Sequence, residues 1–340
     1  MKEQRNMTRF ATQRGWRSFL LFGLCLMTLA GCASDDDSRT VLRLAHGLDT
    51  SHPVHGGMEM FAEEVERRTN GEVGIIIYPN EQLGSERECV ELLQLGALDI
   101  TKSSTAILDA FIEEYAVFGL PYVFRGDDHM WAVLEGEVGQ EILESGRDVN
   151  LLGLCYYDAG ARSFYTTEHP IHQPSDLHGL SIRVQQSDMA IRMVRAMGGS
   201  PTPVSWGELY SALQQGVVDG AENNPPSFYT SNHYEVCRYY TLDEHQRVPD
   251  VLLIRPAVFD GLSDEHQEAF REAAEVSVTY QRDLWREEQD KALAAVEEAG
   301  VTIIEPDISE FQEAVQPLWA MFEGTVIGDL AERVEAVPGD

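Results

Sequence analysis

Two neighbouring stretches decide the fold: Leu180-Ser181-Ile182-Arg183-Val184, and Ser205-Trp206-Gly207-Glu208-Leu209 running on to Gly220-Ala221-Glu222-Asn223-Asn224-Pro225-Pro226. Leu180, Ile182 and Val184 alternate with Ser181 and Arg183, the period of a strand with one buried face. Arg183 is thereby mounted on a rigid element, directed away from its apolar neighbours. In the second stretch Leu209, Leu213 and Val217 recur at helical spacing, and Gly220 reads as the helix stop. Pro225 disfavours the helical region for Asn224, so Asn223 falls on an extended segment.

Outward from this centre, strands and helices alternate. Val41–Ala45 and Val73–Tyr78 read as strands, Gly57–Thr69 as an amphipathic helix, and Ser85–Gly96 as a helix with an acidic first turn. Asp99–Lys102 and Val117–Val123 read as further strands, and the alternation implies a mainly parallel sheet. A second set begins in Asp158–Ile171 with a strand, continues through Ser181–Val184, and adds helices at Ser187–Met197 and Gly207–Gln215. Val251–Ile254 reads as a strand returning to the first sheet. Ser263 is an N-cap signal for a long helix over Ser263–Gly300.

The ends and the composition bound the function. Lys2, Arg5, Arg9, Arg14 and Arg17 precede an apolar run, Phe19–Ala30, too short to span a membrane. Residues 1–31 therefore read as an export signal, and Leu29-Ala30-Gly31-Cys32 looks like the box cut by the lipoprotein signal peptidase. Cys32 would then carry the lipid at the start of a tether, 32–40; a soluble signal cut near Ala33 is the alternative. Either way the protein is expected in the periplasm. About 300 further residues exceed one ordinary core and suggest two domains. Cys89, Cys155 and Cys237 fit no metal spacing and read as buried thiols. The formal charge of −32 becomes −36 once the first 31 residues, with a net +4, are removed. Such acidity excludes nucleic acid as a partner and disfavours anionic lipid. It also fits a saline habitat, where about 1 M salt shortens the Debye length to about 3 Å.

Four ordered blocks resemble the solute-binding subunit of tripartite ATP-independent periplasmic (TRAP) transporters. They are Tyr78–Glu88, Val117–Phe124, Gly160–Tyr165, and the pair Leu180–Val184 with Pro203–Asn223. The resemblance implies a two-domain α/β periplasmic binding protein fold with a hinge, an interdomain cleft and a long domain-spanning helix. It places domain I at 41–159 plus 249–288 and domain II at 160–248 plus 289–340. It makes Arg183 the partner of a substrate carboxylate, since a guanidinium offers two parallel donors and stays charged when desolvated. Arg162 resembles the family's second arginine. Asn223 offers a donor and an acceptor, Glu86 accepts from hydroxyls, and Lys102 adds charge near an acid. His46, His55, Ser104 and Trp206 complete the expected cleft. Related sialic-acid receptors carry a glutamate where Ser104 stands, which argues for a smaller substrate.

One guanidinium clamp among several hydroxyl-reading groups suits a molecule with one carboxylate and many hydroxyls. Glu86–Cys89, Tyr157–Gly160 and Glu222–Phe228 resemble the uronate-binding branch, so D-glucuronate or D-galacturonate is the expected ligand. Aldonates and C4-dicarboxylates are the alternatives within the family. The expected partners are a small-molecule sugar acid and the two TRAP membrane subunits, served by a monomer without cofactor or metal. An enzyme is the rival class, because Glu86 and Glu88 resemble a glycosidase acid and base. No nucleophile elbow, metal cluster or phosphate loop accompanies them.

Overall fold

Eleven strands divide between two sheets in the computed structural model, which describes residues 39–339. The expected export signal (1–31), Cys32 and most of the tether lie outside the described residues. The first sheet runs β2 (Val73–Tyr78), β1 (Thr40–Ala45), β3 (Ile100–Ser104), β10 (Asp250–Ile254), β4 (Leu152–Tyr157). The second runs β11 (Thr302–Ile304), β9 (Tyr239–Arg247), β5 (Ala161–Thr166), β8 (Gly220–Asn223), β6 (Ser181–Val184), β7 (Ser200–Pro203).

The expected parallel sheet is only partly parallel. β1 pairs in parallel with β2 and β3, but β10 lies antiparallel between β3 and β4. This is the strand that returns after β5–β9 of the second sheet have been laid down. It sets Asp250 opposite both Ser104 and Tyr157. In the second sheet β5 is antiparallel to β8 and β9, while β6 is parallel to β7 and β8.

Two local expectations are corrected. Val117–Val123 is no strand: Glu113–Gly119 is a 3-10 helix whose Tyr115, Val117 and Phe118 sit in the largest core cluster. A short apolar run does not reveal its own periodicity, and Pro121 has no N–H for a ladder. The helix of the second stretch, Trp206–Gln214, stops at Gly216, whose φ is +68°, rather than at Gly220. Gly220 opens β8 instead, where a side chain would collide with the Tyr165 carbonyl across the ladder.

Helix starts follow their caps. Ser85 caps Glu86–Gln94 in a capping box with Glu88, which fixes Glu86 at the first helical position. Asn224 caps Pro225–Thr230, with Pro225 in the first turn. Ser263 caps the 35-residue helix Asp264–Glu298, about 52 Å long at 1.5 Å per residue. Its Phe270, Ala273 and Trp285 pack in the core that helix Pro53–Arg68 forms with the first sheet. Its Val296 packs with Tyr165 and Tyr240 of the second, and with Phe228 of the helix Pro225–Thr230. One rigid rod thus borders both sheets.

Candidate functional site

The ends of β3, β5, β6, β8 and β10 face one cavity, with walls from both sheets. It holds about 730 Å³ of atom-free space, open solvent at its mouth included. Arg183, Arg162, Asn223, Glu86, Lys102, Ser104 and Trp206 all line it.

Arg183 projects from β6 between two buried apolar residues. Its side chain is buried, and Nε donates to the Val204 carbonyl at 2.9 Å. The guanidinium carbon lies 5.8 Å from the Trp206 ring. Nη1 is buried and has no hydrogen-bond partner among the described residues. Burial pulls the guanidinium below its ordinary pKa, with neighbouring Arg162 adding to that.

Arg162 is held very differently. Nε donates to Glu222 Oε2 at 2.5 Å, Nη2 donates to Glu222 Oε1 at 3.0 Å, and Nη1 donates to Asn223 Oδ1 at 2.9 Å. Behind Glu222, His245 Nε2 sits 3.6 Å away and His245 Nδ1 bonds Asp243 at 2.8 Å. Burial alone would raise the Glu222 carboxyl, but Arg162 and His245 hold it down at about 2. Burial would likewise lower His245, yet Asp243 and Glu222 push it up to about 9. The result is a buried chain of alternating charge. Asn223 is fixed by it, since Oδ1 also accepts from the Asn224 N–H at 2.9 Å.

On the first sheet's side, Lys102 is shared between two carboxylates. Nζ lies 2.6 Å from Glu86 Oε1 and 3.3 Å from Asp250 Oδ1. Glu86 Oε1 also accepts from the Ser104 N–H at 3.0 Å. Burial, opposed by Lys102 and aided by Glu86, pushes Asp250 up to about 6. Ser104 uses its hydroxyl to cap the turn Thr105–Leu108.

Two expected residues stand elsewhere. His46 and His55 do not line the cavity: His46 Nε2 and His55 Nδ1 are 3.0 Å apart, and His46 Nδ1 accepts from the Leu48 N–H. Burial, then the Lys102 charge, drives His46 down to about 2. His52 takes their place, with Nε2 3.1 Å from Ser227 Oγ. The reason is geometric. The helix begins at Pro53, so its N-cap residue sits at the tip, whereas His55 lies within the first turn toward β1. Pro53 itself was the signal that marks the preceding residue as the cap. Glu222, Asp250 and Glu81 were also missed. Glu81 Oε1 accepts from the Gly207 N–H at 3.2 Å, joining the loop after β2 to the helix after β7.

Residues 44–325 match the model of the bacterial extracellular solute-binding protein family 7, DctP. The chain belongs to this family. Its members are substrate-binding receptors, not enzymes. The TRAP periplasmic solute-binding protein of Xanthobacter autotrophicus Py2, solved with bound β-D-galacturonate, is 41% identical at a TM-score of 0.85, covering 87% of this chain and 100% of that one. Its counterpart from Roseobacter denitrificans, solved with bound β-D-glucuronate, is 36% identical at a TM-score of 0.85, covering 88% and 100%. The C4-dicarboxylate-binding periplasmic protein DctP of Rhodobacter capsulatus is 31% identical over 297 residues, 87% of this chain and 88% of that protein. Both solved structures share the two-domain α/β fold and long helix found here. The family is extracytoplasmic, and no helix among the described residues is long and apolar enough to cross a membrane.

Proposed function

We propose that this family 7 receptor captures a sugar acid, D-galacturonate or D-glucuronate, and hands it to the two membrane subunits of a TRAP transporter. The observation that carries the reading is Arg183, a buried guanidinium with an unsatisfied nitrogen in the cavity. A carboxylate would supply that partner and the counter-charge. Asn223, Glu86 and Asp250 then face the hydroxyls, and Trp206 offers an apolar face to the C–H side of the ring. The ligands in the two neighbouring structures, at 41% and 36% identity, are both uronates.

A C4-dicarboxylate reading needs a second uncommitted cation. Arg162 is already engaged by Glu222 and Asn223, and Lys102 by Glu86 and Asp250. The geometry therefore favours one acid group per ligand. The two domains, at 41–159 plus 249–288 and 160–248 plus 289–340, would close over it by a hinge, with Glu81–Gly207 and His52–Ser227 as contacts across the opening. A lipid on Cys32 would keep the receptor at the membrane.

Calorimetric titration with D-galacturonate, D-glucuronate, D-erythronate and succinate tests the proposal. Tightest binding is expected for a uronate, recovered chemically unchanged. Succinate binding more tightly than either uronate would overturn it.

A further inference from the structure

Asp250 and Glu86 line the cavity from the first sheet's side and Arg183 from the second's. Asp250 opens β10 on the first sheet and Arg183 rides β6 on the second, so ligand in the cavity lies between an unpaired cation and a carboxylate pair. A single cation, Lys102, serves both acids, leaving the trio with one excess negative charge. Glu86 Oε1 is taken by Lys102 and the Ser104 N–H, and Asp250 Oδ1 by Lys102. The bonds to Lys102 and the Ser104 N–H use Glu86 Oε1 and Asp250 Oδ1, not Glu86 Oε2 or Asp250 Oδ2. An ionised carboxylate only accepts hydrogen bonds. Whatever sits there must therefore bring protons of its own, and a hydroxyl does. A second carboxylate brings none and meets like charge in a desolvated place.

We propose that Asp250, with Glu86, is a specificity-determining pair that orients the ligand with its hydroxyl end toward β10 and excludes acids carrying a carboxylate at both ends. This inference rests on the sugar-acid reading and adds the residues that set its direction and its limit. Like-charge juxtaposition is a recognised route to rejecting a near neighbour of the preferred ligand.

The test compares D-galacturonate with galactarate, the same six-carbon chain with a carboxylate at each end, by calorimetry at pH 7.5. Wild type is expected to prefer galacturonate by about 100-fold or more, and Asp250→Asn to shrink that preference at least tenfold by gaining galactarate affinity. Asn keeps a carbonyl to accept from Lys102, and Glu86→Gln serves as the second variant should Asp250→Asn fail to fold. A preference unchanged in both variants, with galacturonate still bound, overturns the exclusion role and leaves the receptor reading standing. Equal wild-type affinity for the two acids does the same. Wild type that binds neither acid fails the sugar-acid reading itself, and the inference with it.

Discussion

Replacing Arg183 separates ligand recognition from folding more cleanly than any other change in the cavity. Nε is committed to the Val204 carbonyl, which leaves Nη1 and Nη2 for an end-on fork to a carboxylate. Each charge-assisted hydrogen bond is worth about 1.5–3 kcal/mol. Arg183→Ala should therefore cost about 3–6 kcal/mol of binding, a rise in Kd of about 10²- to 10⁴-fold. Arg183→Lys keeps the charge without the fork and should lose about 10- to 100-fold. Folding responds oppositely. The ligand-free protein buries Nη1 unpaired, a burden of about 1–3 kcal/mol that the alanine variant sheds. Lost packing against Trp206 works against that relief, so the melting temperature without ligand should hardly move. Arg162→Ala is the control with reversed expectations. It leaves the buried Glu222 carboxylate with only His245, 3.6 Å away, at a cost of about 3–5 kcal/mol, or about 6–20 °C in melting temperature. Titration calorimetry and ligand-free scanning calorimetry on both variants supply the readouts. A Kd for Arg183→Ala within threefold of wild type, in a protein that still melts normally, refutes the assignment.

Three further outcomes follow from named contacts. His245 titrates near 9 in the folded chain against 6.5 ordinarily, so the stability it gives through Asp243 and Glu222 is complete below pH 6.5 and lost as pH rises through about 9; His245→Gln should flatten that decline in urea midpoints measured from pH 7 to 10, and an unchanged slope would sink the charge chain. The net charge of −32 makes the surface self-repelling, so lowering salt from 2 M to 0.05 M should lower the melting temperature, while stopped-flow association of a uronate should stay flat or speed up as salt is added; a rate falling steeply with salt contradicts this. Gly207→Ala would drive a methyl group into the Glu81 carboxylate and break the Gly207–Glu81 contact, weakening uronate binding about fivefold, the worth of roughly 1 kcal/mol; unaltered affinity would mean that contact plays no part in holding the ligand.

What local pattern encodes was legible. The alternation around Arg183, the Pro after Asn224 and the cap at Ser263 each fix geometry within a few residues, and each lies where the sequence puts it. Partners that arrive from far along the chain were not. Glu222 precedes Asn223 by one residue, but its meaning comes from Arg162 on a neighbouring strand 60 residues away. Asp250 stands just outside the expected strand Val251–Ile254; only the antiparallel insertion of β10 beside β3 brings it to Lys102, 148 residues distant. His46 and His55 are expected in the cleft as the end of the first strand and the opening of the next helix; the helix begins instead at Pro53, which leaves His52 at its tip. Val117–Val123 failed for a related reason: full burial erases the polar positions that distinguish period 2 from other repeats.

Charge compensation links the cavity to the whole molecule. Among the described residues, three cations that line the cavity are buried: Lys102, Arg162 and Arg183. Two have carboxylates at ion-pair distance, and Arg183 has none. Burying a lone charge is expensive, so the ligand-free fold carries a deficit that an incoming anion removes. The chain, at −32 overall, does nothing to draw that anion in, which leaves the local imbalance to favour its entry. Ligand should accordingly stabilise the fold by mass action, about 2.7 kcal/mol at a hundred times Kd. That corresponds to an upward shift of about 5–10 °C, specific to sugar acids and absent with the uncharged parent sugar. The shift should vanish in Arg183→Ala yet persist in Asp250→Asn. Equal shifts in wild type and Arg183→Ala would show that the anion settles its charge elsewhere.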